Sequence, residues 1–528
     1  MPIPKRIYSL ETEYALMRED QNSGSTGEIY EEMEAVLRAR HATAVCDTVG
    51  PRNTSGRYSG LIELKEGMFL DTGARVYYDT GHVEWACPES DNAMDATVWD
   101  IAGDRELEEA AESAAAGSRI LVVKNNVDYT TLATYGCHEN YSIPRRLSSL
   151  SEQLVAFLVT RTLLCGAGRW GAATEGLDDC MAFQLSQRAD FIEEVVSKDT
   201  RDNRAILNER DEALADSRLY RRLHLILGDS NLSHWTNLMK LGTTGLVLDA
   251  AEQGLLSDAP VWRNPVQVLR EVSRDLSCRK SYPLQNRGQA TALEIQRWYC
   301  QAAERAAASY PPHDGRLIIL RLWREALDDL AANPAQLNDR ADWAIKYRFF
   351  DQDVLPSLAT NWEELGAWNG IIARTRSVNA PPPGLDPQQW FESRLHPSEF
   401  LAIREAVEQR GLGWCDYLRQ RRNYFTLRAL DVRFHDVSRQ YGLFHRQTTR
   451  NSLPGITPEA IETARREPPR QTRAWLRGRI IKSGRQSLAA LDWDQIYLRD
   501  GRKISLPDPF AARESAVEKL FRLPAEDV

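Results

Sequence analysis

The chain reads as an α+β protein in which strands come early and helices late, and three features of its 528 residues say so. Extended runs that alternate residue character occur at 7–14, 73–79 and 134–141, the period of strands with two unlike faces. Beyond Asn231 the period changes: 236–253, 265–276, 290–309, 316–333 and 340–349 each carry the apolar pattern of a helix. Hydrophobic residues make up 42% and charged residues 27%, the profile of a globular chain long enough for two or three domains.

Charge and cysteine usage narrow the class. A net charge of −9 argues against a general nucleic-acid binder. No window of about 18 uninterrupted apolar residues occurs, and the opening MPIPKRIYSLETEY lacks a signal-peptide core, so no membrane role and a cytoplasmic location are expected. The eight cysteines, at 46, 87, 137, 165, 180, 278, 300 and 415, form no C-x-x-C pair and read as reduced, mostly buried thiols.

The stretch 70–89, LDTGARVYYDTGHVEWACPE, holds the densest chemistry. As a strand it places Arg75, Tyr77 and Asp79 on one face, a cation, a phenol and a carboxylate within about 14 Å. Thr80-Gly81 allows a bend, after which His82 and Glu84 sit two apart and can face the same space. An edge strand with a watered polar face would look the same. A second segment favours a site: in YSLETEY, Ser9, Glu11 and Glu13 share a face, and two carboxylates so placed repel unless a cation lies between them. Hard oxygen ligands suit Mg²⁺, which usually accompanies phosphates. In YGCHENY one face carries Cys137, Glu139 and Tyr141 and the other His138 and Asn140, so Glu139 is a third acid able to join Glu11 and Glu84 around a metal. Arginines 188, 210, 221 and 222 are candidate clamps for phosphate or carboxylate, or surface ion pairs.

The remaining chain supplies the frame. Residues 18–60 form a long excursion, containing a helix at 29–40, that reads as an active-site lid or as an ornamental loop. Helices are expected at 93–115 and at 147–166, the latter ending at Gly-Ala-Gly, with a strand at 119–125 between them. Three consecutive prolines make 378–386 an extended connector, and a last section of about a hundred residues contains EPPRQTRAWLRG and DWD.

Taken together, YSLETEYAL, DTGARVYYDTGHVEWACPE, KNNVD, YGCHENY, QLSQRADF, NERDE, YRRLHLILGDSN, LMKLGTTGLVLD and EPPRQTRAWLRG resemble, in order, the Pup ligase and depupylase family, which is similar to glutamine synthetase-type carboxylate-amine ligases. The resemblance implies a glutamine synthetase-like catalytic domain, residues 1–425, whose helices pack on a curved, mostly antiparallel sheet. A small C-terminal domain, 426–528, would complete the nucleotide site. It implies ATP and Mg²⁺ as cofactors, with Glu11, Tyr77 and Glu84 as metal ligands and Glu13 and Glu139 beside them. Arg75 would contact phosphate and Trp493 would stack on the base, with Cys87, Arg222, His138 and Asn140 also lining the nucleotide site. Asp79 takes the position of the catalytic aspartate. The partners implied are a Pup-like protein tag and tagged proteins, in a pathway linked to a bacterial proteasome.

The direction of the chemistry rests on local features. Four residues, TGHV, separate Asp79 from Glu84, a spacing that resembles depupylases, and DATVWDIAGDRELEEAA and KNNVD lean the same way. Cys137 in GCHENY and the closing DPFAARESAVEKLF are more ligase-like. The expected activity is depupylase and deamidase, with Pup–protein ligase as the alternative and a non-catalytic nucleotide- and tag-binding relative as a further one. Val83, Cys87 and Leu214 depart from the family pattern, as does the proline run at 381–383.

Overall fold

A computed structural model describes residues 4–523 apart from 21–24, 46–66, 80, 116, 130, 146, 148–149, 172–182, 199–202, 209–213, 286–287 and 449–452. Cys46, Cys180, Thr80, Arg210 and the second half of the 18–60 excursion lie outside the described residues.

Ten strands make the main sheet: β1 (Tyr8–Arg18), β2 (Thr43–Val45), β3 (Gly67–Leu70), β4 (Arg75–Asp79), β5 (His82–Ala86), β6 (Ile120–Val123), β7 (Cys137–Pro144), β8 (Glu194–Ser197), β9 (Ala205–Asn208) and β10 (Tyr220–Leu225). Their order is β8-β9-β10-β7-β1-β5-β4-β3-β2, with β6 paired to the far end of β1. The neighbours run antiparallel except β8 and β9, which are parallel. The mixed α/β architecture with a mostly antiparallel sheet is therefore present.

Alternation along β1 decides what each face does. Tyr8, Leu10, Thr12 and Tyr14 point to a buried side, while Ser9, Glu11 and Glu13 point to the other. The buried side is covered by helices α1 (Thr26–Arg40), α2 (Ala93–Ala114), α3 (Leu150–Thr160) and α4 (His234–Glu252). Ser25 caps α1 in a capping box with Glu28, and Ser233 caps α4 by accepting the Thr236 N–H. Polar contacts lock sheet to helix: Thr12 Oγ1 donates to Asp100 at 3.2 Å and Tyr14 Oη to Asp104 at 2.6 Å. Lys124 at the end of β6 neutralises both carboxylates, at 2.7 and 3.1 Å. At Gly245 of α4 an added Cβ would stand 2.3 Å from Tyr8 Oη, so only glycine lets this helix lie so close. Helices α5 (Ala292–Ala307), α6 (Gly315–Ala332) and α7 (Trp414–Phe434) extend the same core.

A second, smaller core forms where Ala44 and Phe69 of β2 and β3 meet helix α8 (Arg473–Gly484) and the three-stranded sheet β11 (Leu488–Leu491), β12 (Gln495–Leu498) and β13 (Lys503–Ser505). Phe434, Phe444, Ile461 and Ala464 belong to the large core, and the C-terminal members of the small one run from Leu476 to Phe521. Among the described residues no helix is long and apolar enough to cross a membrane. Of the six described cysteines five are buried and Cys415 is exposed, all as free thiols.

The small unit is held by one buried carboxylate. Glu89, just past β5, accepts from Arg473 Nε and Arg477 Nη1, each at 2.9 Å, and pairs again with Arg477 Nη2. Burial alone would raise the Glu89 pKa, but Arg477 and Arg473 outweigh it and hold the group at about 2. Because this folded-state value lies below the ordinary carboxylate value, the stabilisation is complete above about pH 4.5 and fades as pH falls towards 2. On the order of 3 kcal/mol is at stake. Glu89→Gln should therefore flatten the acid side of the stability curve between pH 5 and 2, read by denaturant titrations at a series of pH values.

Candidate active site

The register of five strands assembles one polar face. Glu11 lies across from Ala86 on β5 and from His138 on β7, and Glu13 lies directly across from Glu84. Glu84 is in turn opposite Tyr77, and His82 opposite Asp79. Residues opposite each other in an antiparallel pair share a face, so Glu11, Glu13, Arg75, Tyr77, Asp79, His82, Glu84, His138 and Asn140 all project from the side away from the helices. Arg222 and His224 of β10 join them, since His224 lies across from Asn140. Gly81, just before β5, has φ +101°, which a glycine adopts without strain.

Electrostatics at this face are organised around Glu11. Arg222 Nη2 stands 3.1 and 3.4 Å from its two oxygens, while Arg222 Nε donates to Asn140 Oδ1 at 2.6 Å. His138 Nδ1 is 3.4 Å and His224 Nε2 4.0 Å from Glu11 Oε2, and the two imidazoles meet edge to face at 5.0 Å. Burial would raise the Glu11 pKa, but Arg222, the His138 hydrogen bond and His224 hold it far below the usual carboxylate range. Glu11 is thus an anion at any working pH. Burial, with Glu84 and Glu11 nearby, pushes the Tyr77 phenol well above its ordinary value, so it stays protonated. The Arg75 guanidinium lies 4.5 Å from the Tyr77 ring centroid.

The donor set suits a hard divalent cation. Glu13 and Glu84, directly opposite on adjacent strands, are like charges at the closest cross-strand spacing, an arrangement that is destabilising without a cation between or beside them. Glu84 is only 4% exposed. With Glu11 and Tyr77 these carboxylates offer oxygens for one ion, and Glu11, His138 and His224 bring ligand atoms within 4.8 Å of one another for another. His224, in the apolar-looking run RRLHLIL, was not picked out from the sequence.

Two expected lining residues face the wrong way. Glu139 sits opposite Leu10 and so projects into the helix side, where Arg161 binds it through Nη2 at 2.6 Å and Nη1 at 2.8 Å and Tyr141 Oη donates to it at 2.6 Å. It is the fully buried anion of a core ion pair and cannot reach Glu11 and Glu84 around a metal. Cys87 follows Ala86 and, by the same alternation, points into the core, where burial and nearby Asp100 push its thiol pKa well up. Its backbone meets the site strand, the carbonyl accepting from Ser9 Oγ at 2.8 Å and the N–H donating to the Leu10 carbonyl at 2.9 Å. Arg221 likewise turns aside, donating to the Leu147 carbonyl at 3.2 Å. Trp493, by contrast, stands at the rim, with its ring edge to face on Phe69 at 5.1 Å; Phe69 is paired across from Arg75.

With this geometry in place the family follows from comparison. The family model for the Pup-ligase protein matches residues 6–364 and 402–497. The chain belongs to the Pup-ligase family. It is 34% identical over 472 residues to the Pup–protein ligase of Acidimicrobium ferrooxidans, covering 86% of this chain and 89% of that one. It is 33% identical to the depupylase of Acidothermus cellulolyticus, covering 88% and 81%, and 33% identical to the Pup deamidase/depupylase of Mycolicibacterium smegmatis, covering 81% and 74%. Among solved structures, the complex between prokaryotic ubiquitin-like protein Pup and its ligase PafA aligns with a TM-score of 0.70 at 26% identity, over 98% of this chain and 92% of that one. PafA in complex with ADP aligns with a TM-score of 0.63 at 28% identity, over 87% and 90%. The protein is thus an enzyme of the Pup-ligase family, whose members include both ligases and depupylases. Residues 365–401, which hold the proline run, fall outside the family match.

The Glu139 assignment can be checked by stability alone. Glu139→Ala leaves the Arg161 charge buried without its partner, and should cost about 3–5 kcal/mol in chemical denaturation. The apparent divalent-ion affinity of the folded protein should stay unchanged.

Proposed function

We propose that the chain is an ATP- and Mg²⁺-dependent depupylase and deamidase, which hydrolyses the amide on the terminal glutamyl side chain of a Pup-like tag with Asp79 as the reacting carboxylate. The observation that supports this direction is the pairing of Asp79 directly opposite His82 across β4 and β5, together with the short, depupylase-like spacing of Asp79 to Glu84 in the sequence. The complex of PafA with ADP and the oxygen-rich face support the cofactors. When bound, Mg²⁺ and ATP supply phosphoryl chemistry and the positive charge that offsets it.

Each residue then has a physical task. Glu11, Tyr77 and Glu84, with Glu13 beside them, would hold the metal; His138 and His224 would serve a second ion through Glu11. Arg75 and Arg222 would meet phosphate oxygens, and Trp493 would offer its ring to the base. Asp79 is held at the hairpin end, beside this charge cluster rather than within it. There its carboxylate attacks the amide carbon to give an anhydride that water then hydrolyses, or takes a proton from the water that attacks; in both cases the C–N bond breaks and the lysine amine or ammonia leaves with a proton that comes from water.

A second reading, ligation, is supported by the alignment with PafA over 98% of the chain. In that direction Asp79 accepts the proton of the attacking lysine amine. Incubation with ATP, Mg²⁺ and a tagged protein, and separately with free glutamate-ended tag and an acceptor, distinguishes the two. Release of tag is expected; attachment without release would replace the first reading by the second. Asp79→Asn should lower turnover by about a hundredfold to ten-thousandfold with nucleotide affinity unchanged, measured by single-turnover assay and calorimetry. Glu11→Ala should weaken Mg²⁺-dependent nucleotide binding by at least about tenfold.

A further inference from the structure

One peptide unit ahead of β7, between Tyr135 and Gly136, is held more firmly than a connecting loop requires. The Tyr135 carbonyl accepts from Asn126 Nδ2 at 2.9 Å and from Arg188 Nη1 at 2.8 Å, and the Tyr135 N–H donates to the Asn126 carbonyl at 3.0 Å. Asn126 is locked in turn, its Oδ1 accepting the Ser230 N–H at 2.7 Å and its own N–H donating to Gln187 Oε1 at 2.6 Å. The turn that carries Gln187 and Arg188 is pinned by the buried carboxylate of Asp229, which accepts their backbone N–H groups at 2.9 and 3.0 Å. On the site side the Gly136 N–H donates to Glu13 Oε2 at 2.6 Å. A Cβ at Gly136 would stand 2.6 Å from His138 Nε2, so a larger residue would displace that imidazole. These bonds fix the direction in which the Tyr135 side chain leaves the backbone.

That side chain ends on His82. The two ring centroids are 4.2 Å apart with planes tilted by 52°, and His82 Nδ1 lies 3.5 Å from Glu13 Oε2. The imidazole is therefore held between the Tyr135 ring and Glu13, both of them tied to the clamped peptide. Burial, with Asp128 and Glu13 nearby, pushes the Tyr135 phenol up to about 12, so His82 meets a neutral ring. Tyr135 is half-buried and belongs to neither hydrophobic core, so core packing does not explain the contact. His82 is the residue directly opposite Asp79. Cβ atoms of such a pair stand about 4.5–5.5 Å apart, and the imidazole thus bounds one side of the space in which the Asp79 carboxylate turns.

We propose that Tyr135 is a positioning residue for Asp79: its ring fixes the His82 imidazole, and the fixed imidazole holds the Asp79 carboxylate in the orientation that reaches the glutamyl carbon. The assignment rests on the tag-processing reading above, in which Asp79 reacts. It gives Tyr135 no contact with tag, nucleotide or metal; the effect travels through His82. Loss of orientation slows the chemical step while the groups that bind substrate and nucleotide stay where they were, so it falls on kcat and spares KM.

The experiment uses the full-length enzyme with ATP, Mg²⁺ and a tagged protein, and reads kcat and KM for release of the tag, with ADP affinity and melting temperature on the same samples. Tyr135→Leu removes the ring and should lower kcat by at least about tenfold, with KM and ADP affinity within about twofold of wild type. Tyr135→Phe keeps the ring and should recover kcat to within about threefold of wild type at the same melting temperature. His82→Ala should lose about as much as Tyr135→Leu, and the double variant no more than either alone, because both act on one orientation. An unchanged kcat in Tyr135→Leu overturns the assignment while leaving the tag-processing reading intact. So does a Tyr135→Phe variant as slow as Tyr135→Leu, a loss confined to KM, a loss of ADP affinity, or losses that multiply in the double variant. A wild type that releases no tag removes the tag-processing reading and the positioning role with it.

Discussion

The register of β1 against β5 and β7 is the constraint on which the rest depends. Every acidic group of the polar face that belongs to β1 is there because Glu11 and Glu13 alternate with Leu10, Thr12 and Tyr14. A slip of one residue would bring Leu10, Thr12 and Tyr14 to the open face and drive two carboxylates into the helix core. That slip is prevented from below. Thr12 and Tyr14 are hydrogen-bonded to Asp100 and Asp104 of α2, those carboxylates are neutralised by Lys124, and Tyr8 fits only against Gly245. The buried polar contacts between sheet and helix thus set the geometry of groups that never touch them.

Given that register, the open face gathers four carboxylates, Glu11, Glu13, Asp79 and Glu84, with Arg75, Arg222, His82, His138 and His224 among them. Arg222, His138 and His224 gather on Glu11, while Glu13 takes the Gly136 N–H and lies 3.5 Å from His82 Nδ1. Like charges directly opposite on adjacent strands, as Glu13 and Glu84 are, weaken a sheet relative to neutral pairs. The helix side shows the opposite policy: Glu139 is just as acidic, but Arg161 meets both of its oxygens and Tyr141 completes the set. Two glutamates one strand apart therefore have unlike fates, one structural and one poised for ligands.

This contrast explains what could be read from the sequence. Within a strand, alternation says which residues share a face, and Arg75, Tyr77 and Asp79 were legible as a group for that reason, as were Glu11 with Glu13 and His138 with Asn140. Alternation does not say which of the two faces is open, since that is settled by pairing with a distant strand. Glu139 and Cys87 were misplaced on that account: each lies in a site-bearing segment, on its other face. His224 escaped notice because its neighbours in β10 are arginines and leucines, and only the pairing with Asn140 brings it to the site. Helix α7 was missed as an element because its sequence, WCDYLRQRRNYFTLRALDVRF, buries Arg421, Arg428 and Asp431 along with its apolar residues and shows little amphipathic contrast.

The chemistry at Asp79 cannot be specified by the metal-binding strands alone, because a carboxylate beside an activated glutamyl group serves hydrolysis and ligation equally well. What differs between the two is the second reactant, water in one case and a lysine amine in the other. On one side the approach to Asp79 is bounded by His82 with the Tyr135 ring against it, and behind Tyr135 by Arg188. This corner comes from β5, from the loop before β7 and from the turn pinned by Asp229, and β5 also carries Glu84 of the charged face. Its pairing with β1 sets Glu84 against Glu13, and its pairing with β4 sets His82 against Asp79. The corner and the charged face are therefore joined through one strand, and a shift of β5 would move both.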